Sequence, residues 1–136
     1  GTVSWTAAGN PHTVSDATGT FQDNGSGGTI TQVTAFDFTL GVSVIIQVFN
    51  VPGTSLPAAT YDCGTVVSQL INITVGEGGQ TYSAASAGTT GCTITIDNAV
   101  SEDGDIVGSM AGTIGKSDGS GASIAVAGTF NVPDSN

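Results

Sequence analysis

Acid–base and nucleophilic chemistry need a titratable base beside a nucleophile, or a paired carboxylate, and this chain supplies few such groups. Its one histidine is His12, in Asn10-Pro11-His12, a run that reads as a turn. Serine and threonine are spread along the whole chain, so no hydroxyl stands out as a partner for that imidazole. Glycoside hydrolysis would need two carboxylates flanking a cleft. The acids Asp23, Glu77, Glu102, Asp103, Asp105 and Asp118 instead fall mostly where turns are expected, the ordinary place for Asx geometry and solubility. The densest constellation is Glu102-Asp103-Gly104-Asp105, with Asp97 across the same expected hairpin. Hard carboxylate oxygens around a glycine turn suit Ca²⁺. Their spacing is not that of an EF-hand loop, and a solvated acidic hairpin is the more ordinary reading. No other cofactor is expected.

Cys63 and Cys92 are the two cysteines. In a small exported domain an even pair reads as one disulfide, with two buried thiols or half of a metal site as the alternatives. Trp5, Tyr61 and Tyr82 are the aromatics that could stack on a sugar from an exposed sheet surface. Trp5, in phase with Val3 and Ala7, reads as core; each tyrosine follows a threonine and fits a sandwich edge equally well. Asp23-Asn24-Gly25-Ser26-Gly27-Gly28 is glycine-rich but leads into a strand, so it is a loop and not a phosphate cradle. Asn24-Gly25-Ser26 and Asn72-Ile73-Thr74 match glycosylation acceptors, a pattern that arises easily in so Ser/Thr-rich a chain.

The elements that must position these groups are strands. With 136 residues and 38% hydrophobic content, the chain fits one domain with a real core. Apolar and small polar residues alternate in short segments bounded by Gly, Asn, Asp or Pro. In Ser123–Val132, Ile124, Val126, Phe130 and Val132 share one side; in Cys92–Asp97, Cys92 sits on the apolar side beside Ile94 and Ile96. Val42–Phe49 is apolar on both sides and reads as a central strand or one covered on both sides. Further strands are expected near Thr2–Ala7, Thr13–Gln22, Thr29–Phe38, Ala59–Cys63, Gln69–Val75, Gln80–Ala84 and Asp105–Ile114. Asp103-Gly104 and Glu77-Gly78-Gly79 mark hairpins, and Ser117–Gly121 a turn before the last strand. About ten short strands predict an all-β fold: an antiparallel β-sandwich, Ig-like or jelly-roll-like, or a flattened barrel.

Composition narrows the setting. Charged residues make up 9% of the chain, and eleven acids face one base, Lys116, for a net charge of −10. A surface covered by Thr, Ser, Gly, Asn and Gln suits exported bacterial and archaeal surface proteins. The charge repels phosphate backbones and anionic headgroups, so neither nucleic acid nor an anionic membrane is an expected partner. No apolar run is long enough for a transmembrane helix, since Ser43 and Gln47 interrupt Val42–Phe49. The chain opens at Gly1 without Met, which predicts export through a cleaved signal.

The order of strand motifs resembles that of small all-β lipoprotein-like surface domains of Bacteroidetes and myxobacteria. The matching stretches are Val3-Ser4-Trp5-Thr6-Ala7, Gly28-Thr29-Ile30, Ala59-Thr60-Tyr61, Thr81-Tyr82, Thr93-Ile94-Thr95-Ile96, Ala111-Gly112-Thr113-Ile114 and Gly128-Thr129-Phe130-Asn131-Val132. They span most of the chain. The resemblance implies an all-β surface domain and no particular activity, so it carries over no functional residue. A lipid-bearing cysteine is missing from the start of this chain, and the Cys63/Cys92 pair departs from the pattern.

The expectation is a non-catalytic extracellular structural or interaction domain of a microbial surface. Its expected partners are copies of itself, in a fibre or layer, or other surface components. A carbohydrate-binding module ranks second, and a hydrolase using a carboxylate pair third. If the protein polymerises, Gly1–Ala8 is the expected connector. It presents Val3, Trp5 and Ala7 on one side, is followed by the breaker Gly9-Asn10-Pro11, and could add to a neighbour's open edge. Pairing of that segment within its own domain is the more ordinary reading.

Overall fold

A computed structural model describes residues 1–25, 27–66, 69–84 and 91–135. The chain is all-β, with twelve strands among the described residues: β1 Thr2–Ala7, β2 Asn10–Val14, β3 Thr18–Asp23, β4 Gly28–Asp37, β5 Val42–Pro52, β6 Ala59–Asp62, β7 Gly64–Val66, β8 Gln69–Glu77, β9 Gln80–Ser83, β10 Gly91–Ile96, β11 Asp105–Lys116 and β12 Ser123–Pro133. Their ladders are antiparallel and follow the order β2-β1-β12-β11-β9-β8-β5-β4-β3. Strands β10 and β6 extend from β11, and β7 extends from β8.

Strand β11 is the corner. Its Gly108–Thr113 stretch pairs with β10, whereas Gly115 and Lys116 pair with Ser83 and Tyr82 of β9. The two ends of the strand order, β2 and β3, are consecutive in the chain and joined only by residues 15–17. So short a link keeps those ends near each other, and the curled antiparallel sheet is that of an all-β sandwich or flattened barrel. The C-terminal segment seals the seam. Ser135 N donates to Gly19 O at 2.9 Å, and Phe21 N donates to Asp134 Oδ1 at 3.1 Å.

Alternation decides what faces the core. Thr29, Thr31, Val33 and Ala35 of β4 point inward, as do Val42, Val44, Ile46 and Val48 of β5. They meet Ile73 and Val75, Ile94 and Ile96, Ile106, Val126, Phe130 and Val132 in one continuous core. Strand β5 lies between β4 and β8, a central place in the sheet.

Three expectations need correction. Thr13–Gln22 is not one strand, because the chain breaks at residues 15–17 to cross the seam. His12 is not in a turn; it lies in β2 with Pro11, which is tolerated because β2 pairs on one side only. The turn itself is Ala8-Gly9, with φ of 50° and 84°, a tight two-residue reversal that places Ala7 opposite Asn10. Finally, Asp103-Gly104 does not close a short hairpin. Residues 97–104 form a longer connection whose Val100 is fully buried and bridges Leu56.

Candidate functional site

The β4–β5 hairpin ends in Phe38-Thr39-Leu40-Gly41, and there the apolar rhythm runs out of phase with the core. Ala35 is the last inward residue of β4, so Phe36 faces out. Phe36 is 43% exposed, Phe38 89% and Leu40 65%; these are the exposed large hydrophobics among the described residues. The two rings stack with centroids 5.6 Å apart and planes 14° from parallel. Asp37 holds the tip in shape. Its Oδ1 accepts from Thr39 N at 3.0 Å and Leu40 N at 3.1 Å, and its carbonyl accepts from Gly41 N at 2.8 Å. An aromatic pair is thus displayed on a braced turn. Beside it lies a groove of about 310 Å³ whose polar lining includes Thr13, Ser15, Asp16 and Thr39.

A second surface feature surrounds the disulfide. Cys63 and Cys92 are bonded, with Cα atoms 5.2 Å apart, and Cys63 N donates to Cys92 O at 2.9 Å. The bond ties the end of β6 to β10. Across β10 and β11 the facing pairs are Gly91–Thr113, Cys92–Gly112 and Thr93–Ala111. Such small residues leave a shallow, open depression over Gly91, Thr93, Ala111 and Gly112, with Asp62, Cys63 and Cys92 at its border.

The residues singled out in the sequence fall as follows. Val3, Trp5 and Ala7 are buried in the chain's own core, and β1 is paired on both sides, by β2 and β12. His12 Nε2 lies 2.7 Å from Glu77 Oε1, and its ring packs 5.1 Å from Trp5. The histidine therefore links β2 to the β8–β9 hairpin, and its hydrogen bond goes to a carboxylate, not to a hydroxyl. Tyr61 Oη donates to Pro57 O at 2.7 Å, while Tyr82 packs partly buried against the core. The two tyrosines form no strip: Tyr61 is on β6 and Tyr82 on β9, which share no ladder.

The acids weighed for Ca²⁺ do not all line one depression. Among the described residues no three of His, Cys, Asp and Glu gather as metal ligands. The long connection carries Asp97 to a depression with Thr2 and Ser4, whereas Glu102 and Asp103 line another with Asp23 and Asp134. Asp134 serves structure, since its Oδ2 accepts from Asp103 N at 3.1 Å. Asn72 lies in β8 and is buried. Its Nδ2 donates to Gln47 Oε1 at 3.3 Å and its Oδ1 accepts from Ser83 Oγ at 3.1 Å, so the amide is committed to the sheet. Asn24 lies in the exposed β3–β4 turn, where its Oδ1 accepts from Gly28 N at 3.3 Å.

Sequence reading overlooked the exposed tip. Its signal was present: Phe36, Phe38 and Leu40 keep a two-residue rhythm opposite in phase to Val33 and Ala35. Comparison with protein-family models, curated proteins and solved structures returned no match.

Proposed function

We propose that this chain is a non-catalytic extracellular structural or interaction domain of a microbial surface, and that it associates through the β4–β5 hairpin tip. The observation that carries this reading is the concentration of Phe36, Phe38 and Leu40 on one braced turn of a chain with net charge −10. Scattered exposed apolar residues are normal, but a contiguous cluster marks a contact site. Among the described residues no other large hydrophobic side chain is exposed, so the tip offers copies their most apolar place to meet. The contact element is the tip and not Gly1–Ala8, because β1 already fills its own sheet.

Sedimentation velocity over a concentration series tests this. The full chain is expected to associate as concentration rises, and Phe38→Ser, with an unchanged circular dichroism spectrum, to stay monomeric. Equal behaviour of the two proteins would refute the tip as the contact.

A carbohydrate-binding module is the second reading, favoured by the stacked Phe36–Phe38 pair beside the Thr13, Ser15 and Asp16 groove. It predicts that immobilised neutral polysaccharide retards the full chain but not Phe38→Ser.

A further inference from the structure

We infer that Asp134–Ser135 is a strap that guards the edge of β3 against pairing with the β3 strand of a second copy. Strand β3 ends the strand order, so one row of its backbone groups meets no neighbouring strand. Gly19 O and Phe21 N belong to that row, and the strap takes both. Gly19 O accepts from Ser135 N at 2.9 Å and from Ser135 Oγ at 2.8 Å, while Phe21 N donates to Asp134 Oδ1 at 3.1 Å. A side-chain carboxylate thus stands where the carbonyl of an added strand would. The strap is fastened on its other side too. Asp134 Oδ2 accepts from Asp103 N at 3.1 Å, and Asp134 N donates to Gly104 O at 2.9 Å. Gly19 gives the segment room: a Cβ there would lie 3.0 Å from Val132 Cγ1 and 3.2 Å from Pro133 O.

Beneath the strap, β3 has the character of a pairing edge. Its outer side chains, Thr18, Thr20 and Gln22, are uncharged, and it holds no proline. Edges of that kind recruit other strands unless lysine, proline, shortness or a covering segment prevents it. The chain's one lysine, Lys116, lies on β11. Strand β2 carries Pro11, which has no N–H to offer, and β6 is four residues long and ends in Asp62. For β3 the cover is the strap. The occupant it excludes is a second β3. Paired antiparallel about Phe21, two copies would set Gly19 opposite Asp23 and Thr20 opposite Gln22, so no acid would directly face an acid.

Attachment gives the strap its advantage. A segment on a short tether competes at an effective concentration on the order of millimolar, so a free copy at micromolar concentration is outcompeted about a thousandfold. Glu102 and Asp103 line the depression beside Phe21 and Asp23 and add charge repulsion against an acidic newcomer. The edge therefore stays closed while the strap is in place. This contact is separate from the tip and does not rest on it.

The test is made on the full chain carrying Phe38→Ser, which removes the tip, in about 1 M NaCl, where charges beyond about 3 Å are screened. Adding Asp134→Ala/Ser135→Pro deletes the acceptor for Phe21 N and both donors to Gly19 O. Circular dichroism and thermal midpoint verify folding, and Asp134→Ala alone serves should the pair fail to fold. In sedimentation velocity the strap variant is expected to dimerise at least tenfold more tightly than Phe38→Ser. Hydrogen exchange should find Phe21 N–H protected in that dimer. Adding Thr20→Glu/Gln22→Glu places carboxylates opposite one another across the two β3 strands and should return the strap variant to monomer. A folded strap variant that associates no more than Phe38→Ser would overturn the guard. A dimer that survives Thr20→Glu/Gln22→Glu would overturn β3 as the pairing edge. Every comparison is with Phe38→Ser, so the outcome is independent of whether the tip itself drives association.

Discussion

Removing the Cys63–Cys92 disulfide should cost this domain a large share of its stability. The bond spans a sequence separation of 29 residues. In the chain-entropy model, closing a loop of about 30 residues removes about 12 cal/mol/K from the unfolded chain, or about 3.6 kcal/mol at 25 °C. A chain of 136 residues has a total stability on the order of 7–20 kcal/mol. The expected loss is therefore between a fifth and a half of it. With an unfolding entropy near 2.1 cal/mol/K per residue, the thermal midpoint should fall by about 12 °C. Urea melts of the oxidised chain, the same chain under reductant, and Cys63→Ala/Cys92→Ala measure the effect. The two uncrosslinked forms should lose similar stability and show a larger denaturant slope, because an open unfolded chain exposes more surface. A loss below about 1 kcal/mol, with an unchanged slope, would refute the loop-closure account.

Three further outcomes are expected. Asp37→Ala strips the acceptor from Thr39 N and Leu40 N; it should cost about 1 kcal/mol in urea melts and weaken self-association, whereas unaltered association would show that the brace does not shape the tip. Gly108→Ala would drive a methyl into the Thr95 carbonyl oxygen and the Phe130 ring; we expect a loss of about 3 kcal/mol, and a midpoint equal to the parent's would show that β10 and β11 yield at that point. Burial pushes the Tyr61 phenol above its usual range. Its stabilising contribution is thus complete below the unfolded value of about 10 and is lost as pH rises through the folded value. Between pH 8 and 11 the parent should lose more stability than Tyr61→Phe, and an equal loss would exclude Tyr61 as the group responsible.

The inward sides of β10, β12 and β5 were legible because their alternation is strict and their apolar residues are β-branched or aromatic. The boundary between β2 and β3 was not. Proline before His12 suggests a turn on local chemistry, yet an edge strand accepts it, and whether a strand is an edge is a property of the whole sheet. The disulfide could be read from an even cysteine pair with Cys92 in phase with Ile94 and Ile96. The placing of Asp97 and Glu102–Asp105 around one short hairpin was not legible, because nearness in sequence is not nearness in register. Val100 is drawn into the core beside Leu56, and Asp97 and Asp103 line different depressions. The tip was hidden by its own regularity. Phe36, Phe38 and Leu40 continue a strand-like rhythm, and only the burial of Val33 and Ala35 shows that this rhythm points to solvent.

The placement of charge ties these observations together. All eleven acids lie at strand termini or in connections: Asp16, Asp97, Glu102, Asp103, Asp118 and Asp134 outside strands, and Asp23, Asp37, Asp62, Glu77 and Asp105 at the first or last position of one. Like charges directly opposite one another on neighbouring strands are destabilising, and a chain with one lysine has no cations to intersperse. Confining the acids to the ends spaces them apart and leaves both outer surfaces neutral. On one, hydroxyl residues stand side by side across six strands: Thr60, Thr95, Ser109, Thr129, Ser4 and Thr13. Thr60 and Thr95 bond each other at 3.1 Å, as do Ser4 and Thr13. On the other, Gln32, Gln47 and Asn72 link side chains across β4, β5 and β8. Polar groups satisfied by their own neighbours offer little to a partner beyond what water already provides. Net charge keeps the ends of two copies apart, and self-satisfied hydroxyls and amides give the flat surfaces little reason to adhere. The uncovered apolar tip remains as the place where contact gains most.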